Sequence, residues 1–254
     1  MPYRVPRRVA WLNLLFDRCY PVYRSVYFLY KRLSDRRVCS FLKKRLREIG
    51  DRPATVLDIG ANVGFYTRFL AENSGPAVSI LAFEPAPANL RRLGPETSGL
   101  ANVKILPWAV AAAPGQVELT LSPDSAIDHH LAGPAGAGAQ TVLVKAVALD
   151  EMDWPLVDLI KMDIQGAEYL ALRGMTKLLA RSPGCVIVME LWPWGLRRAG
   201  SDWRELLALL KENDLTVQSF DGRDVEAWCQ AKADRSEAHL DVILRRGRPA
   251  EEPK

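Results

Sequence analysis

Cysteine is scarce and scattered in this 254-residue chain. Cys19, Cys39, Cys185 and Cys229 form no C-x-x-C pair and have no histidine close by. Their spacing argues against structural zinc and a disulfide framework, and it suits a reducing compartment. No apolar run is long enough to span a bilayer. The N-terminus lacks the uninterrupted apolar core and small-residue cleavage site of a signal peptide, so a cytoplasmic location is expected. No internal repeat is present. Also missing is G-x-G-x-x-G, the glycine pattern that lets a dinucleotide pyrophosphate press against backbone.

In its place stands Val56-Leu57-Asp58-Ile59-Gly60-Ala61-Asn62-Val63-Gly64-Phe65-Tyr66-Thr67. Val56, Leu57 and Ile59 read as a parallel strand covered on both faces, Gly60 to Gly64 as a tight turn, and the rest as a helix start. Asp58 falls at the strand tip, where open α/β sheets bind ligands. A second apolar strand, Ser79-Ile80-Leu81-Ala82-Phe83, ends in Glu84, a carboxylate placed to accept hydrogen bonds from ribose hydroxyls.

The D-x-G-x-x-x-G spacing of Asp58, Gly60 and Gly64 resembles motif I of class I S-adenosylmethionine-dependent methyltransferases. That resemblance implies S-adenosylmethionine as cofactor and a cradle made of named positions. The backbone of Gly60, Ala61 and Gly64 meets the methionyl end, with Asp58 orienting it. Asn62, Phe65, Tyr66 and Thr67 line the helix start. Glu84 holds the ribose, Trp108, Ala109 and Val110 border the adenine, and Asp163 faces the reacting centre.

Lys161-Met162-Asp163-Ile164-Gln165-Gly166-Ala167-Glu168 narrows the resemblance to the FkbM family of O-methyltransferases. Phe83-Glu84-Pro85-x-Pro87-x-Asn89, Ala109-Val110, Gly174 and Met189-Glu190-Leu191 match in order, over about residues 54 to 244. Two positions depart from the pattern: Gln165 stands where the family often has Glu, and Trp192 where His is frequent. The resemblance implies methyl transfer to a hydroxyl of a sugar, glycan or secondary metabolite.

An aliphatic hydroxyl is a weak nucleophile until its proton leaves, so a general base or a metal-bound alkoxide is needed. Asp163 and Glu190, on adjacent strand tips, are the candidate carboxylate pair, acting as base or holding Mg²⁺. His130, beside His129 in the 122–141 loop, is a further candidate base on a segment long enough to be a lid. Glu168 is expected to cap or orient backbone near its turn, and His239 to be structural.

From Thr55 onward, strands and helices alternate, predicting a doubly wound, mostly parallel, seven-stranded Rossmann-like α/β sheet. Strands are expected at 103–107, 116–121, 141–147, 157–163, 185–190, 216–220 and 239–244, with helices at 64–73, 87–93, 166–180 and 202–213. The methyltransferase domain spans 54–245, with a tail at 246–254.

Residues 1–53 form a basic helical extension, with fourteen Lys and Arg against four Asp and Glu, while the whole chain carries +4. Helices are expected near 9–19, from Pro21, and over Arg36–Ile49, with Gly50 ending the last. Two readings of this arm stay open: cap helices on the sheet, or a peripheral contact with an anionic inner membrane face through interleaved aromatic and basic residues. A non-catalytic cofactor-binding partner tethered by the arm, and a nucleic-acid methyltransferase, are the alternative functions. The latter lacks an Asn-Pro-Pro-Tyr-type motif after Asp163.

Overall fold

Alternate residues of the central strands bury side chains on opposite faces of one sheet, and the two faces receive different covers. The computed structural model describes residues 16, 18–121, 130–131 and 140–247. Its main strands are β1 (Ala54–Ile59), β2 (Val78–Phe83), β3 (Val103–Leu106), β8 (Leu159–Met162), β9 (Val186–Leu191), β10 (Leu215–Ser219) and β11 (Leu240–Arg246). They lie in the order β10-β11-β9-β8-β1-β2-β3. Pairing is parallel from β9 through β3, and β11 runs antiparallel between β9 and β10. All seven strands expected for the main sheet are present, with ends shifted by one or two residues.

A second sheet of four strands, β4 (Ala109–Val110), β7 (Gln140–Val147), β5 (Gly115–Leu121) and β6 (His130–Leu131), stands in that order. The expected strands at 116–121 and 141–147 are its β5 and β7.

One face of the main sheet presents Val56, Ile80, Leu159, Val186, Val188 and Ile243. It is covered by α1 (Tyr20–Ser34), α2 (Arg36–Ile49) and α3 (Phe65–Asn73). Tyr23, Tyr27, Val38, Leu42, Leu46 and Ile49 pack there in one cluster with the strand residues. Burial of a side chain such as Leu42 contributes about 1.5–3 kcal/mol. The basic residues of α2 fall on its other sides, which is the cap-helix arrangement. The expected segment at 9–19 lies mostly outside the described residues.

The opposite face presents Leu57, Phe83, Ile160, Met162, Ile187, Met189, Val242 and Leu244. It meets α5 (Glu168–Arg173), α6 (Thr176–Arg181), α7 (Pro193–Arg198), α8 (Trp203–Glu212) and α9 (Val225–Lys232). The helix expected over 166–180 is broken into α5 and α6. Gly174, at the break, passes so close to the second sheet that a Cβ there would lie 2.0 Å from the Ala111 carbonyl oxygen. The remaining helix, α4 (Pro87–Thr97), runs beyond its expected end at 93 despite Pro95. Asp202 and Glu205 close a capping box at the start of α8. All four cysteines are free, and among the described residues no helix is long and apolar enough to cross a membrane.

Candidate active site

Strand parity assembles the polar centre. Asp58 and Lys161 are register partners between β1 and β8, and Glu190 and Asp241 between β9 and β11. Side chains two residues apart share a face. Asp58 follows Val56, Lys161 and Asp163 follow Leu159, Glu190 follows Val188, and Asp241 precedes Ile243. All five therefore point to the face covered by α1 and α2, at the sheet edge where the parallel strands end.

A cavity of about 220 Å³ opens there. Asp163, Glu190, Asp241 and Lys161 form its floor, α1 supplies Tyr30, Lys31 and Ser34, and Asp35 and Tyr66 close one side. The Lys31 ammonium lies 2.5 Å from Asp35 Oδ2. Tyr66 Oη donates to the same carboxylate oxygen at 2.7 Å, and Ser34 Oγ donates to Oδ1 at 2.5 Å. Burial disfavours the charged form of Lys31, yet Tyr27, Asp163 and Asp35 outweigh it and hold the ammonium well above its ordinary value. Burial would likewise raise Asp35, but Lys31 and the donated hydrogen bonds keep it lowered. Lys161 Nζ donates to the Met162 carbonyl at 3.3 Å and sits 4.8 Å from the centre of the Tyr66 ring.

The other carboxyls face the cavity with fewer partners. Burial, then the charge of Asp163, pushes the Glu190 carboxyl well above its ordinary value. His239 Nε2 is 3.9 Å from Glu190 Oε2, so this histidine stands at the rim of the cavity. Asp241 is raised chiefly by burial. Gln165 holds a left-handed backbone, φ 55°, and its Nε2 donates to Asp163 Oδ1 at 2.8 Å. Glu168 Oε1 accepts from the backbone of Ile164 and Gly166 at 3.1 and 3.2 Å, pinning this turn as expected.

The glycine turn after β1 lies against that point. Gly60 has φ 87°, and a Cβ there would sit 2.0 Å from the Asp163 carbonyl oxygen. The missing side chain lets the tips of β1 and β8 meet. Gly60 and Ala61 both donate their N–H to the Phe83 carbonyl at 2.9 Å, so these donors are already engaged. Gly64 faces α4, where a Cβ would meet Leu93 at 3.0 Å. Its role here is close packing of the turn on that helix.

Asp58 is buried and accepts from Thr67 Oγ1 at 2.5 Å, and burial raises its carboxyl to about 6. Glu84 accepts from Asn62 N and Ala86 N, both at 2.8 Å, and from Asn89 Nδ2 at 3.4 Å. Burial raises it to about 7. Phe65 is buried against Phe28, with ring centres 5.3 Å apart. Trp108 is half-buried beneath Lys145, whose Nζ is 4.1 Å from the ring centre, and Ala109 and Val110 are buried in β4. Thus Asp58, Gly60, Asn62 and Glu84 gather at the tips of β1 and β2, whereas Phe65 and Thr67 point into packed interior. Trp192 is buried, and its Nε1 donates to the Ser236 carbonyl at 2.8 Å.

S-adenosylmethionine suits this cradle. Glu84 Oε2, which accepts from Asn62 N, keeps acceptor capacity, and Asn89 Oδ1 beside it is buried without a partner. Both can receive ribose hydroxyls. Among the described residues, no group of three or more His, Cys, Asp or Glu is arranged to hold a metal ion. The Mg²⁺ considered for the Asp163–Glu190 pair thus finds no support from such a cluster. The expected lid is described only at His130 and Leu131, where β6 pairs with β5 and His130 lies opposite Thr120. His129 and the His130 side chain lie outside the described residues.

Lys31, Asp35, Lys161 and Asp241 escaped the sequence reading. Asp35 precedes a helix and looks like an N-cap, yet its carboxylate makes no capping bond and turns into the cavity. Lys161 sat inside the quoted motif, and its polar character in an apolar strand was the available signal.

Residues 58–215 match the methyltransferase FkbM domain. The hexuronic acid methyltransferase AglP of Haloferax volcanii is 27% identical over 179 residues, covering 68% of each protein. An rRNA methylase structure from Streptococcus thermophilus aligns with a TM-score of 0.50 at 14% identity, covering 83% of this chain and 95% of that one. This second likeness concerns the fold alone. The methyltransferase FkbM structure from Methylobacillus flagellatus gives a TM-score of 0.48 at 16% identity, covering 77% of this chain and 44% of that one.

Proposed function

The chain belongs to the FkbM family of methyltransferases, and from that premise we propose that it methylates a hydroxyl of a sugar, glycan or related secondary metabolite. It is an S-adenosylmethionine-dependent methyltransferase. The observation that carries the finer reading is the cavity beside the Gly60 turn, walled by carboxyls and ammonium groups with little apolar surface. Such walls match an acceptor dense in hydroxyls. The name of the Haloferax volcanii relative, a hexuronic acid methyltransferase, supports a sugar acceptor.

When bound, the cofactor supplies an activated methyl group on sulfur. Asp58, Asn62, Glu84 and the Gly60 turn, at the tips of β1 and β2, would hold it. Asp163 adjoins that turn and, oriented by Gln165, would position the acceptor hydroxyl beside it. Alignment of this kind supplies much of the catalysis of a displacement reaction. Glu190, one strand further from the turn, takes the hydroxyl proton. Its raised basicity brings it closer to the task than an ordinary carboxylate. Lys31 and Lys161 balance the negative charge around it.

The test is methyl transfer by the purified protein, followed as S-adenosylhomocysteine release with a panel of methyl glycosides, alongside calorimetric titration with S-adenosylmethionine. Cofactor binding without release on any sugar defeats the acceptor reading. A second reading concerns location. Val22, Leu29, Tyr30 and Leu33 form an exposed apolar stripe along α1, and with the basic arm they favour contact with an anionic membrane surface from the cytoplasm. Co-sedimentation with phosphatidylserine vesicles, absent from phosphatidylcholine vesicles, is the expected outcome.

A further inference from the structure

The arm brings a charged pair, Lys31 and Asp35, into the cavity, and both precede residue 58, where the family match begins. A lysine in the last turn of a helix and an aspartate at a helix junction ordinarily serve the helices themselves. One meets the helix dipole and the other caps the next helix. Asp35 does not act this way: it stands at the N-cap position of α2, yet its side chain makes no capping bond. Its oxygens are spent elsewhere, Oδ2 on Lys31 Nζ at 2.5 Å and Tyr66 Oη at 2.7 Å, and Oδ1 on Ser34 Oγ. A largely buried ion pair adds little stability by itself, so the forgone cap points to a use for the ammonium that Asp35 holds.

That use follows from where the ammonium is fixed. Tyr66 lies in the first turn of α3, just past the glycine turn, so Asp35 ties Lys31 to the helix start beside the cofactor cradle. Lys31 Nζ also lies 5.3 Å from the Tyr66 ring centre. An ammonium has three N–H donors. Asp35 takes one and the Tyr66 ring accounts for at most one more, which leaves a donor for a ligand in the cavity. Lys161 is the other lysine of the wall, but it is 2% exposed, with its Nζ on the Met162 carbonyl. The Lys31 side chain is 17% exposed, so of the two it is the one an acceptor reaches. Against the cost of burial, Tyr27, Asp163 and Asp35 keep it charged, and a charged donor makes the stronger hydrogen bond.

We propose that Lys31 binds the acceptor, its free N–H holding an oxygen of the sugar beside Asp163 and Glu190, and that Asp35 is the positioning residue that sets it there. The arm is then part of the acceptor site as well as a cover for the sheet. This rests on the sugar-hydroxyl reading above and adds to it a residue that lies outside the matched family domain.

The experiment follows S-adenosylhomocysteine release by the full-length protein on the methyl glycoside that the wild type turns over fastest. Calorimetric titration with S-adenosylmethionine runs in parallel. Lys31→Met keeps an unbranched side chain and removes the donor. It is expected to raise the acceptor KM and lower kcat/KM by about 10- to 100-fold, the usual worth of a hydrogen bond from a charged donor. Cofactor affinity should change by less than about twofold, since the lost contact is to the acceptor. Lys31→Met leaves Asp35 without its counter-charge, so the double variant with Asp35→Asn restores the balance and should show the same acceptor loss. Asp35→Asn alone keeps the ammonium but loosens it, and its KM should rise by less; an unchanged KM there overturns the positioning role. Wild-type acceptor KM in the double variant overturns the binding role. So does a loss of cofactor affinity and melting temperature in both Lys31 variants, because that marks a merely structural pair; either result leaves the sugar reading intact. A wild type that turns over no methyl glycoside removes both.

Discussion

Two sets of carboxyls occupy the strand tips of this molecule, and they are built differently. Asp58 and Glu84, at β1 and β2, are enclosed: one accepts a threonine hydroxyl, the other two backbone N–H groups and an amide. Asp163, Glu190 and Asp241, at β8, β9 and β11, face an open cavity with lysines beside them. A carboxyl tied to backbone on both oxygens shapes a turn and keeps its position when a ligand arrives. One that faces a cavity can exchange a proton or grip a substrate. The same residue type at the strand tips of one sheet thus meets two surroundings, closed by hydrogen bonds at β1 and β2 and open to a cavity at β8, β9 and β11.

The largest effect is expected on the chemical side. Glu190→Gln should lower kcat by about 10²–10⁴-fold, the usual contribution of a general base, with calorimetric S-adenosylmethionine affinity little changed. The wild-type pH profile sharpens the point. Glu190 is inactive as a base while it holds its proton, and its raised value moves that loss upward. Activity should climb with pH along a limb lying above the ordinary carboxylate range, and the variant should lack that limb. A Glu190→Gln enzyme with full activity and the same profile would break the contrast.

Next comes the joint between the two sides. Gly60→Ala places a Cβ 2.0 Å from the Asp163 carbonyl at a backbone φ of 87°. The conflict is with backbone, so relief requires the strand tips to part. We expect about 3 kcal/mol lost from unfolding free energy in urea titration, together with lost cofactor binding. An unperturbed melting curve would show that the two tips are not tightly coupled.

On the structural side, Glu84→Ala leaves the N–H groups of Asn62 and Ala86 without their acceptor. The cost should be about 2–3 kcal/mol, with weakened cofactor affinity. The wild-type protein adds a pH signature with a definite sign. Glu84 is raised from 4.5 to about 7, so the folded state binds the extra proton between those values. This contribution is fully present below pH 4.5 and disappears as pH rises through about 7. Denaturant titrations across that window should show the slope in the wild type and a shallower one in the variant.

The smallest effect belongs to the outer side of α1. Leu33 is 67% exposed, so Leu33→Ser should change stability and turnover of a soluble acceptor by no more than about 0.5 kcal/mol. Vesicle co-sedimentation should nevertheless fall if the stripe meets a membrane. A large loss of turnover would mean that the rim of the cavity reaches further along α1 than Tyr30 and Ser34.

Elements defined by contiguous residues are legible in the sequence. The run Val56–Ile59, the turn at Gly60 and the helix over Arg36–Ile49 are written in local apolar spacing and glycine placement. The family motif followed from the same kind of short-range pattern. Phe65 and Thr67 show where that reasoning stops: both sit in the motif, yet the helix turns them into packed interior. The broken helix at Gly174 is another case, because Ala111, which approaches it, follows β4 about sixty residues earlier in sequence.

By itself, then, the sequence determined the alternation of strands and helices, the family, and the positions of Asp58, Glu84, Asp163 and Glu190 at strand tips. Each depends on neighbours a few residues apart, whose periodicity and turn chemistry are visible in one dimension. Tertiary structure alone decided that Lys31 and Asp35 of the arm meet Lys161, Asp163 and Asp241 in one cavity. That meeting depends on strand register and on which face of the sheet the arm covers. Both are settled by burial of side chains more than a hundred residues apart, which no local pattern records.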